Sequence, residues 1–287
     1  MKNYCTLTFD IEEWFQVENL RDAIQKKDWW EIRSTVENNT NRIIEILEEL
    51  GINATFFVLG WVAEKEPELV RTLNMHGHEI ASHGFDHKLS YSLSDHDLQF
   101  DIQRSKVILE EIIGKDVTGY RAPNFSVDER LIKILQQLGF RYDSSYNPFK
   151  LNKRYGTLQL PEQSEKTISK LNNSFYEIPL STVKLLGQHI PMAGGAYFRL
   201  FPSFIFNNLV RKKVKQDGFY NFYLHPWEFE PEQPRIKNIP LNYRIRHYTG
   251  LKKTGKKLEA LIKMLKSFGC EFVTLGEYVH RYEIEHR

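Results

Sequence analysis

The feature that most restricts the fold of this sequence is a recurring unit: an amphipathic helix, then a glycine, then a short β-rich run. In "NRIIEILEELGINATFFVL", Ile43, Ile44 and Leu47 share one face of a predicted helix. Gly51 is placed to end that helix before a strand. The unit recurs in "PELVRTLNMHGHEIAS", "SVDERLIKILQQLGFRYD", "FIFNNLVRKKVKQDGFYNFYLH" and "GKKLEALIKMLKSFGCEFVTL". Such alternation indicates βα units and a mostly parallel sheet.

The number of these units predicts an α/β fold, namely a distorted or incomplete (β/α) barrel that forms a single domain over residues 1–287. A doubly wound open sheet is the alternative, although no glycine-rich phosphate loop follows the first strand. Residues 144–202 interrupt the repeat. We interpret them as a long loop excursion with a short strand in "SFYEIPLS" and a glycine turn in "MAGGAYFRLF".

Charge and hydropathy exclude some classes of function. The net charge is only +2, from 39 basic and 37 acidic residues, which argues against nucleic-acid binding. No signal peptide is visible in "MKNYCTLTFDIEEW", and the apolar run "ATFFVLGWVA" is too short to cross a bilayer. We therefore expect a cytoplasmic protein without a transmembrane segment. Cys5 and Cys270 are expected to be buried thiols rather than a disulfide.

Polar residues stand at the ends of the predicted strands. These residues are Asp10, His83, Arg121, Asp143 and His225. Because the carboxyl ends of parallel strands lie on one face of such a fold, where active sites form, we expect these side chains to share one cleft.

The residue types in this cleft indicate a hydrolytic chemistry. His83 and His87 are four apart, a spacing expected to place both rings on one side of a helical turn. Two neutral imidazoles and a carboxylate can bind a divalent metal ion and leave positions open for water and substrate. A second carboxylate can act as base, a further histidine can protonate a leaving amine, and an arginine can hold the base. The set predicts metal-assisted hydrolysis of an amide or ester.

Five segments occur in the order of a known family's motifs: "TFDIEEWF", "SHGFDH", "RAPNF", "YDSSY" and "YLHPWEF". Over roughly residues 4–280 the chain resembles the polysaccharide deacetylases of carbohydrate esterase family four, also called the chitooligosaccharide deacetylase homology domain. "DIEEWFQV" and "HPWEFEPEQPR" resemble a branch associated with exopolysaccharide gene clusters.

The resemblance implies a role for each residue at a matching position. His83 and His87 match the metal-binding histidines, and Asp10 matches the catalytic base. Arg121 matches the arginine that holds the base and His225 the general acid. Asp143 resembles the carboxylate that orients this acid.

Two positions depart from the family's pattern. Ile11 stands where the family usually has a second aspartate that binds the metal, so Glu12 is the expected metal ligand and Glu13 the reserve. Asn124 stands after the proline of the third motif, where the family usually has an aromatic residue, and we include it among the substrate-binding residues. The implied cofactor is one divalent ion, expected to be zinc, although nitrogen and oxygen ligands suit several metals.

Other residues are candidates for contact with a sugar. Trp14, Tyr197 and Trp227 offer flat faces on which a sugar ring could stack, and core packing would explain each of them equally well. Arg199 in "GGAYFR" is expected near the substrate. His247 has no evident partner in the sequence and is expected to be exposed to solvent.

The predicted function is the removal of N-acetyl groups from amino sugars in a polysaccharide, an oligosaccharide or a glycan precursor. Two alternatives remain open at the level of the sequence. One is a related, metal-poor hydrolase of amides or ureides, and the other is a non-catalytic glycan-binding protein with the same fold. The residues do not specify the sugar, the linkage, the N- or O-attachment of the acetyl group, or the oligomeric state.

Overall fold

A computed structural model of the chain describes residues 2–149, 155–161, 167–172, 174–185 and 188–286. Within these ranges the strands are β1 (Asn3–Ile11), β2 (Thr55–Val58), β3 (Glu79–Ser82), β4 (Gly119–Tyr120), β5 (Tyr142–Asp143), β6 (Ser169–Lys170), β7 (Tyr176–Glu177), β8 (Thr182–Leu185), β9 (Gln188–Pro191), β10 (Phe219–Leu224) and β11 (Cys270–Phe272). The α-helices are α1 (Val36–Glu49), α2 (Gly60–Lys65), α3 (Pro67–Met75), α4 (Asp95–Ile113), α5 (Glu129–Gln137), α6 (Gly195–Leu200), α7 (Ser203–Asp217), α8 (Leu241–Tyr248), α9 (Thr254–Ser267) and α10 (Leu275–Glu285).

Most of the strands form one mostly parallel sheet in the order β10-β1-β2-β3-β4-β5-β7-β6, and β11 also pairs with β1. Every ladder in this sheet is parallel except that between β6 and β7. The sheet is strongly curled, but its outer strands β6 and β10 do not pair with each other. The prediction of a distorted, incomplete (β/α) barrel in a single domain is confirmed.

Strand β1 forms the centre of the core. From Cys5 to Ile11 all its residues are buried, as is typical of a parallel strand that is covered on both faces. Phe9 pairs with Leu224 of β10 on one edge and with Phe56 of β2 on the other. Asp10 therefore lies beside the carboxyl end of β10, which is followed directly by His225.

The glycines of the recurring unit end its helices as the sequence predicts. Gly51 and Gly77 adopt φ of 58° and 78°, the left-handed conformation that glycine tolerates best. Helix α4 begins after Ser94, whose hydroxyl accepts a hydrogen bond from the Asp97 amide, and ends at Gly114. The ends of these helices are thus set by individual residues near them, namely a glycine after the helix or a capping serine before it.

The excursion predicted over residues 144–202 contains more regular structure than a loop. Strand β7 pairs in parallel with β5 and so extends the main sheet, and β8 and β9 form a separate hairpin. The segment interpreted as a glycine turn begins helix α6. Gly194 is needed there because a Cβ atom would lie 1.9 Å from the carbonyl oxygen of Tyr223. Residues 150–154, 162–166, 173 and 186–187 of the excursion lie outside the described residues.

Two further expectations can be compared with the structure. Within the described ranges, no helix has both the length and the apolar character that crossing a bilayer would require. Cys5 and Cys270 are both buried and unbridged, as expected.

Candidate active site

Three of the five predicted strand-end residues, Asp10, His83 and His225, line one cavity at the carboxyl edge of the sheet, whereas Arg121 and Asp143 do not line it. The predicted site residues that line it are Asp10, Glu12, His83, His87, Asn124, Arg199, His225 and Trp227. These side chains come from positions far apart in the chain, and the parallel strands bring them together.

Glu12, His83 and His87 form a compact group of potential metal ligands. All three are buried, and one ligand atom from each lies within 4.8 Å of the others. The Nδ1 of His83 lies 2.8 Å from the carbonyl oxygen of Arg121. Because a protonated Nδ1 would donate to this carbonyl, the Nε2 of His83 is left free to bind a metal ion.

The two histidines are not brought together by a helical turn, so that expectation is wrong. Residues 83–87 form an irregular segment in which Gly84 and His87 adopt φ of 73° and 53°. These two left-handed residues reverse the chain direction and place the rings of His83 and His87 with their centroids 5.5 Å apart.

The donors in this group fit a divalent transition metal ion. The Oε2 of Glu12 lies 2.5 Å from the Nε2 of His87 and has no other hydrogen-bond partner among the described residues. Burial alone would raise the pKa of Glu12, but His87, His225 and His83 lower it to about 2. Burial lowers the pKa of His83 to about 4. The lowered pKa values of Glu12 and His83 favour an ionised carboxylate and a neutral imidazole, which are the forms that bind metals. Burial would lower the pKa of His87, but the charge of Glu12 and the hydrogen bond to it raise this pKa.

Glu13, the alternative metal ligand proposed from the sequence, does not face the histidines. Its carboxylate accepts hydrogen bonds from the backbone amides of Thr35, at 2.9 Å, and Val36, at 3.2 Å. These amides lie at the start of α1, so Glu13 stabilises the helix terminus. Of the two glutamates, only Glu12 faces the histidines.

Asp10 is held by Arg121 in a buried ion pair. The Nη1 of Arg121 donates to the Oδ1 of Asp10 at 2.7 Å, and both side chains are almost fully buried. The guanidinium is itself fixed by the hydroxyl of Thr8 and the carbonyl of Ser144. The other carboxylate oxygen, Oδ2, lies 3.8 Å from the Nε2 of His225. The two candidate catalytic groups therefore face each other.

His225 is oriented by Glu228, and not by Asp143 as the sequence predicted. The Oε1 of Glu228 lies 2.8 Å from the Nδ1 of His225, and its Oε2 accepts from the Nε of Arg199 at 2.5 Å. Burial would lower the pKa of His225, but the hydrogen bond to Glu228 and the charges of Glu12, Glu228 and Asp10 raise it to about 9. With Nδ1 engaged, Nε2 is the nitrogen available to the substrate.

Asp143 has different partners because β5 lies several strands away from β10. Its Oδ1 accepts a hydrogen bond from the hydroxyl of Ser145 at 2.6 Å. Burial raises the pKa of Asp143, and burial together with the nearby charge of Asp143 raises that of Glu177 well above its usual range. The carboxyl groups of Asp143 and Glu177 form a buried pair that supports the sheet and does not orient His225.

Two residues predicted to bind substrate instead support the catalytic groups. Arg199 is buried, holds Glu228, and donates from Nη2 to the backbone carbonyl of Arg246 at 2.7 Å. Trp227 stacks on His225 with ring centroids 5.2 Å apart and donates from its indole nitrogen to Glu12 at 3.1 Å. Each nitrogen of the Arg199 guanidinium is thus already engaged in a hydrogen bond to the protein. Trp227 is a positioning residue that also lines the cavity.

The other substrate-binding predictions have mixed outcomes. Trp14 is only 4% exposed and packs edge-on against Phe15, so it belongs to the core. Tyr197 contacts the rings of Phe149 and Phe201 and lies outside the cavity lining. Asn124 does line the cavity, and its buried Nδ2 has no hydrogen-bond partner among the described residues.

Glu228 and Arg246 line the cavity but were not predicted from the sequence. The signal for Glu228 was present in "HPWEF", because Pro226 starts a 3₁₀ turn that places Glu228, the third residue after His225, back over the ring of His225. Arg246 carried no comparable signal, since its position depends on how α8 packs.

Comparison with known families gives two matches, one for each half of the chain. Residues 2–142 match the polysaccharide deacetylase family, and residues 144–280 match a domain of unknown function, DUF3473. Residues 2–142 therefore carry a polysaccharide deacetylase domain, the family that the motifs of the sequence resemble.

Curated relatives match about a third of the chain. The chain is 32% identical over 106 residues to the peptidoglycan deacetylase-like protein FGM2 of Gibberella zeae, covering 36% of this chain and 31% of that protein. It is 30% identical over 103 residues to a chitooligosaccharide deacetylase of Azorhizobium caulinodans, covering 36% of this chain and 49% of that protein. The matches thus span less than half of either relative.

Solved structures share the fold over nearly the full chain. A putative polysaccharide deacetylase from Mycobacterium smegmatis superposes with a TM-score of 0.67 at 18% identity, covering 100% of this chain and 92% of that one. The peptidoglycan deacetylase PdaC from Bacillus subtilis gives a TM-score of 0.51 at 16% identity, covering 99% and 94%. At these identities the likeness concerns the fold alone.

Proposed function

We propose that this protein is a metal-dependent deacetylase that removes N-acetyl groups from amino sugars of a glycan or glycan precursor. The observation that carries the proposal is the arrangement of one cavity. The Oδ2 of Asp10 and the Nε2 of His225 lie 3.8 Å apart there, beside the group formed by Glu12, His83 and His87. A base, an acid and a set of metal ligands at one place are the parts that amide hydrolysis needs.

Glu12, His83 and His87 would hold the metal ion, with zinc as the expected metal. When bound, such an ion activates water and polarises the acetyl carbonyl. Two histidines and one carboxylate are a ligand set of catalytic zinc sites, which keep a position open.

The residues of the chain account for the proton transfers. Asp10, held by Arg121, accepts a proton from the attacking water. His225, which Glu228 keeps protonated, donates a proton from Nε2 to the departing sugar amine as the C–N bond breaks. The products are acetate and a free amino sugar. The side-chain amide of Asn124, which lacks an acceptor among the described residues, is placed to donate a hydrogen bond to a substrate oxygen.

The substrate class is proposed from the relatives. Proteins named chitooligosaccharide deacetylase and peptidoglycan-N-acetylglucosamine deacetylase each match 36% of the chain. Oligomers of N-acetylglucosamine are therefore the first substrates to test. A role in exopolysaccharide biosynthesis rests on the sequence segments described above and is part of the proposal.

The test combines acetate release with elemental analysis of the purified protein. Asp10→Asn and His225→Ala should fold normally and lose roughly 10²–10⁴-fold in turnover, the usual effect of removing one acid or base. Glu12→Gln should lose bound metal. The matched control Glu13→Gln should keep the metal and lose about 1 kcal/mol of unfolding free energy, because it weakens the start of α1.

Some results would contradict the proposal. Near-wild-type turnover in Asp10→Asn or His225→Ala would remove the roles assigned to these residues. Metal retained as tightly in Glu12→Gln as in the wild type would remove the ligand assignment. Tight glycan binding without acetate release from any N-acetyl substrate would indicate a glycan-binding protein instead.

A further inference from the structure

Arg246 contributes a positive charge to the wall of the cavity. It lies on α8, is partly buried, and lines the same cavity as Asp10 and His225. Its Nη2 donates to the hydroxyl of Tyr155 at a distance of 3.4 Å, which is a long hydrogen bond.

The other charged side chains of the cavity have partners of opposite sign. Asp10 pairs with Arg121, Glu228 with Arg199, and Glu18 lies 3.6 Å from Arg21. Glu12 faces His87 and His225. Within the described residues, Arg246 takes part in no ion pair with a carboxylate.

An arginine in this position costs free energy unless an anion binds it. Removing a guanidinium from water is unfavourable when no negative charge compensates, and the phenol of Tyr155 supplies only a weak hydrogen bond. A planar guanidinium matches a carboxylate or phosphate with two parallel hydrogen bonds.

The backbone of Arg246 is fixed to the catalytic framework. The backbone carbonyl of Arg246 accepts a hydrogen bond from the guanidinium of Arg199. The guanidinium of Arg199 also binds Glu228, which orients His225. Arg246 and the candidate acid thus belong to one connected network, so an anion bound at Arg246 would have a defined position relative to His225.

We propose that Arg246 binds an anionic group, a carboxylate or a phosphate, carried by the substrate next to the acetylated sugar. This inference rests on the proposed function, because it assumes that the cavity holds a glycan. It makes the substrate class an acidic or phosphorylated glycan rather than a neutral polymer.

Binding titrations in the Asp10→Asn background, with the metal present, test the inference without depending on turnover. Three probes are compared: the neutral tetramer of N-acetylglucosamine, the tetrasaccharide that alternates N-acetylglucosamine with glucuronic acid, and N-acetylglucosamine 1-phosphate. At least one anionic probe should bind roughly tenfold tighter than the neutral tetramer, a gain typical of a hydrogen bond to a charged group. The gain should shrink as the salt concentration rises.

Adding Arg246→Gln should abolish this gain, and Arg246→Lys should restore only part of it, because lysine lacks the planar fork. Arg244→Gln, an exposed arginine on the same helix, is the matched control and should leave the gain unchanged. A gain with the uronate probe identifies a carboxylate as the ligand, and a gain with the phosphate probe identifies a phosphate.

Equal binding of all three probes, or a gain that persists in Arg246→Gln, would overturn the inference. Acetate release by the wild-type protein is measured separately on the same oligosaccharides. Its absence would count against the proposed function, whereas the titrations alone decide the role of Arg246.

Discussion

Glu228 shows how much of the chemistry can depend on one side chain. It is fully buried and contacts both the backbone amide and the Nδ1 of His225, while Arg199 binds its other oxygen. Burial would raise the pKa of Glu228, but the charges of Arg199 and His225 lower it below its usual range. An ionised Glu228 fixes the ring of His225 so that Nε2 faces the cavity.

Removing the negative charge of Glu228 without changing the shape of its side chain should therefore impair proton donation by His225. We expect Glu228→Gln to lower kcat on N-acetyl oligosaccharides by roughly 10²-fold with a small change in KM, because proton transfer and not binding is affected. Steady-state acetate release measures both constants. Glu232→Gln, at an exposed position nearby, is the control. An unchanged kcat in Glu228→Gln would show that His225 needs no such support.

Among the structural elements, the segment after β3 positions both histidines of the candidate metal site. The carboxylate of Asp101 on α4 accepts hydrogen bonds from the amides of Phe85, at 2.7 Å, and Asp86, at 3.1 Å. These bonds attach the segment to α4. The left-handed backbone at Gly84 completes the reversal.

A side chain at Gly84 should disturb this arrangement. A Cβ atom there would lie 3.0 Å from the Oδ2 of Asp101 and 3.3 Å from the hydroxyl of Tyr120. We expect Gly84→Ala to lose on the order of 1–2 kcal/mol of unfolding free energy from backbone strain and to bind metal more weakly. Gly114→Ala is the matched control, since Gly114 has a similar φ of 69° and a Cβ atom there would meet nothing within 4 Å.

Chemical denaturation and metal titration of both variants separate the two effects. The control should lose similar stability but keep its metal affinity. If Gly84→Ala bound metal as tightly as Gly114→Ala, the segment would not be what positions the histidines.

The ends of elements could be predicted from the sequence, and the contacts between distant elements could not. Asp10, His83, Arg121 and His225 lie at the carboxyl ends of strands that local hydrophobicity reveals, so their convergence was predictable. The partner of His225 is local and could have been found from the turn in "HPWEF", but the family's motif order pointed to Asp143. The left-handed conformation of His87, a non-glycine residue, could not be predicted from the spacing of the two histidines.

At the scale of the whole molecule, packing buries histidines that the sequence does not distinguish. His247, expected to be exposed, is fully buried and stacks on Trp227 with ring centroids 4.5 Å apart. His78, at the opposite end of β3 from the cavity, is also buried, and its ring lies 4.9 Å from that of Phe56. Burial and the nearby charge of His76 lower the pKa of His78 from 6.5 to about 4.

This shift predicts a pH dependence of stability. As the pH falls below 6.5, the unfolded chain binds a proton at His78 before the folded protein does. The contribution of His78 is therefore complete above pH 6.5 and is lost between pH 6.5 and pH 4. We expect a loss on the order of 2 kcal/mol of unfolding free energy over this range.

Denaturant unfolding of His78→Asn at several pH values tests the assignment. Asparagine keeps an acceptor for the backbone amide of Ala54 but does not titrate, so the variant should lose less stability on acidification. His96→Asn, at a highly exposed position, should behave as the wild type. An identical slope for His78→Asn and the wild type would show that other groups control the acid response.

The pairing of β1 with both β2 and β10 has a consequence for how the chain is divided. The boundary between its two family matches, near residue 143, separates Asp10 and the candidate metal ligands from His225, Glu228 and Arg246. Neither portion alone would contain the candidate base, Asp10, together with the candidate acid, His225. The region described only as a domain of unknown function thus furnishes the candidate acid, so the proposed hydrolysis would require both portions.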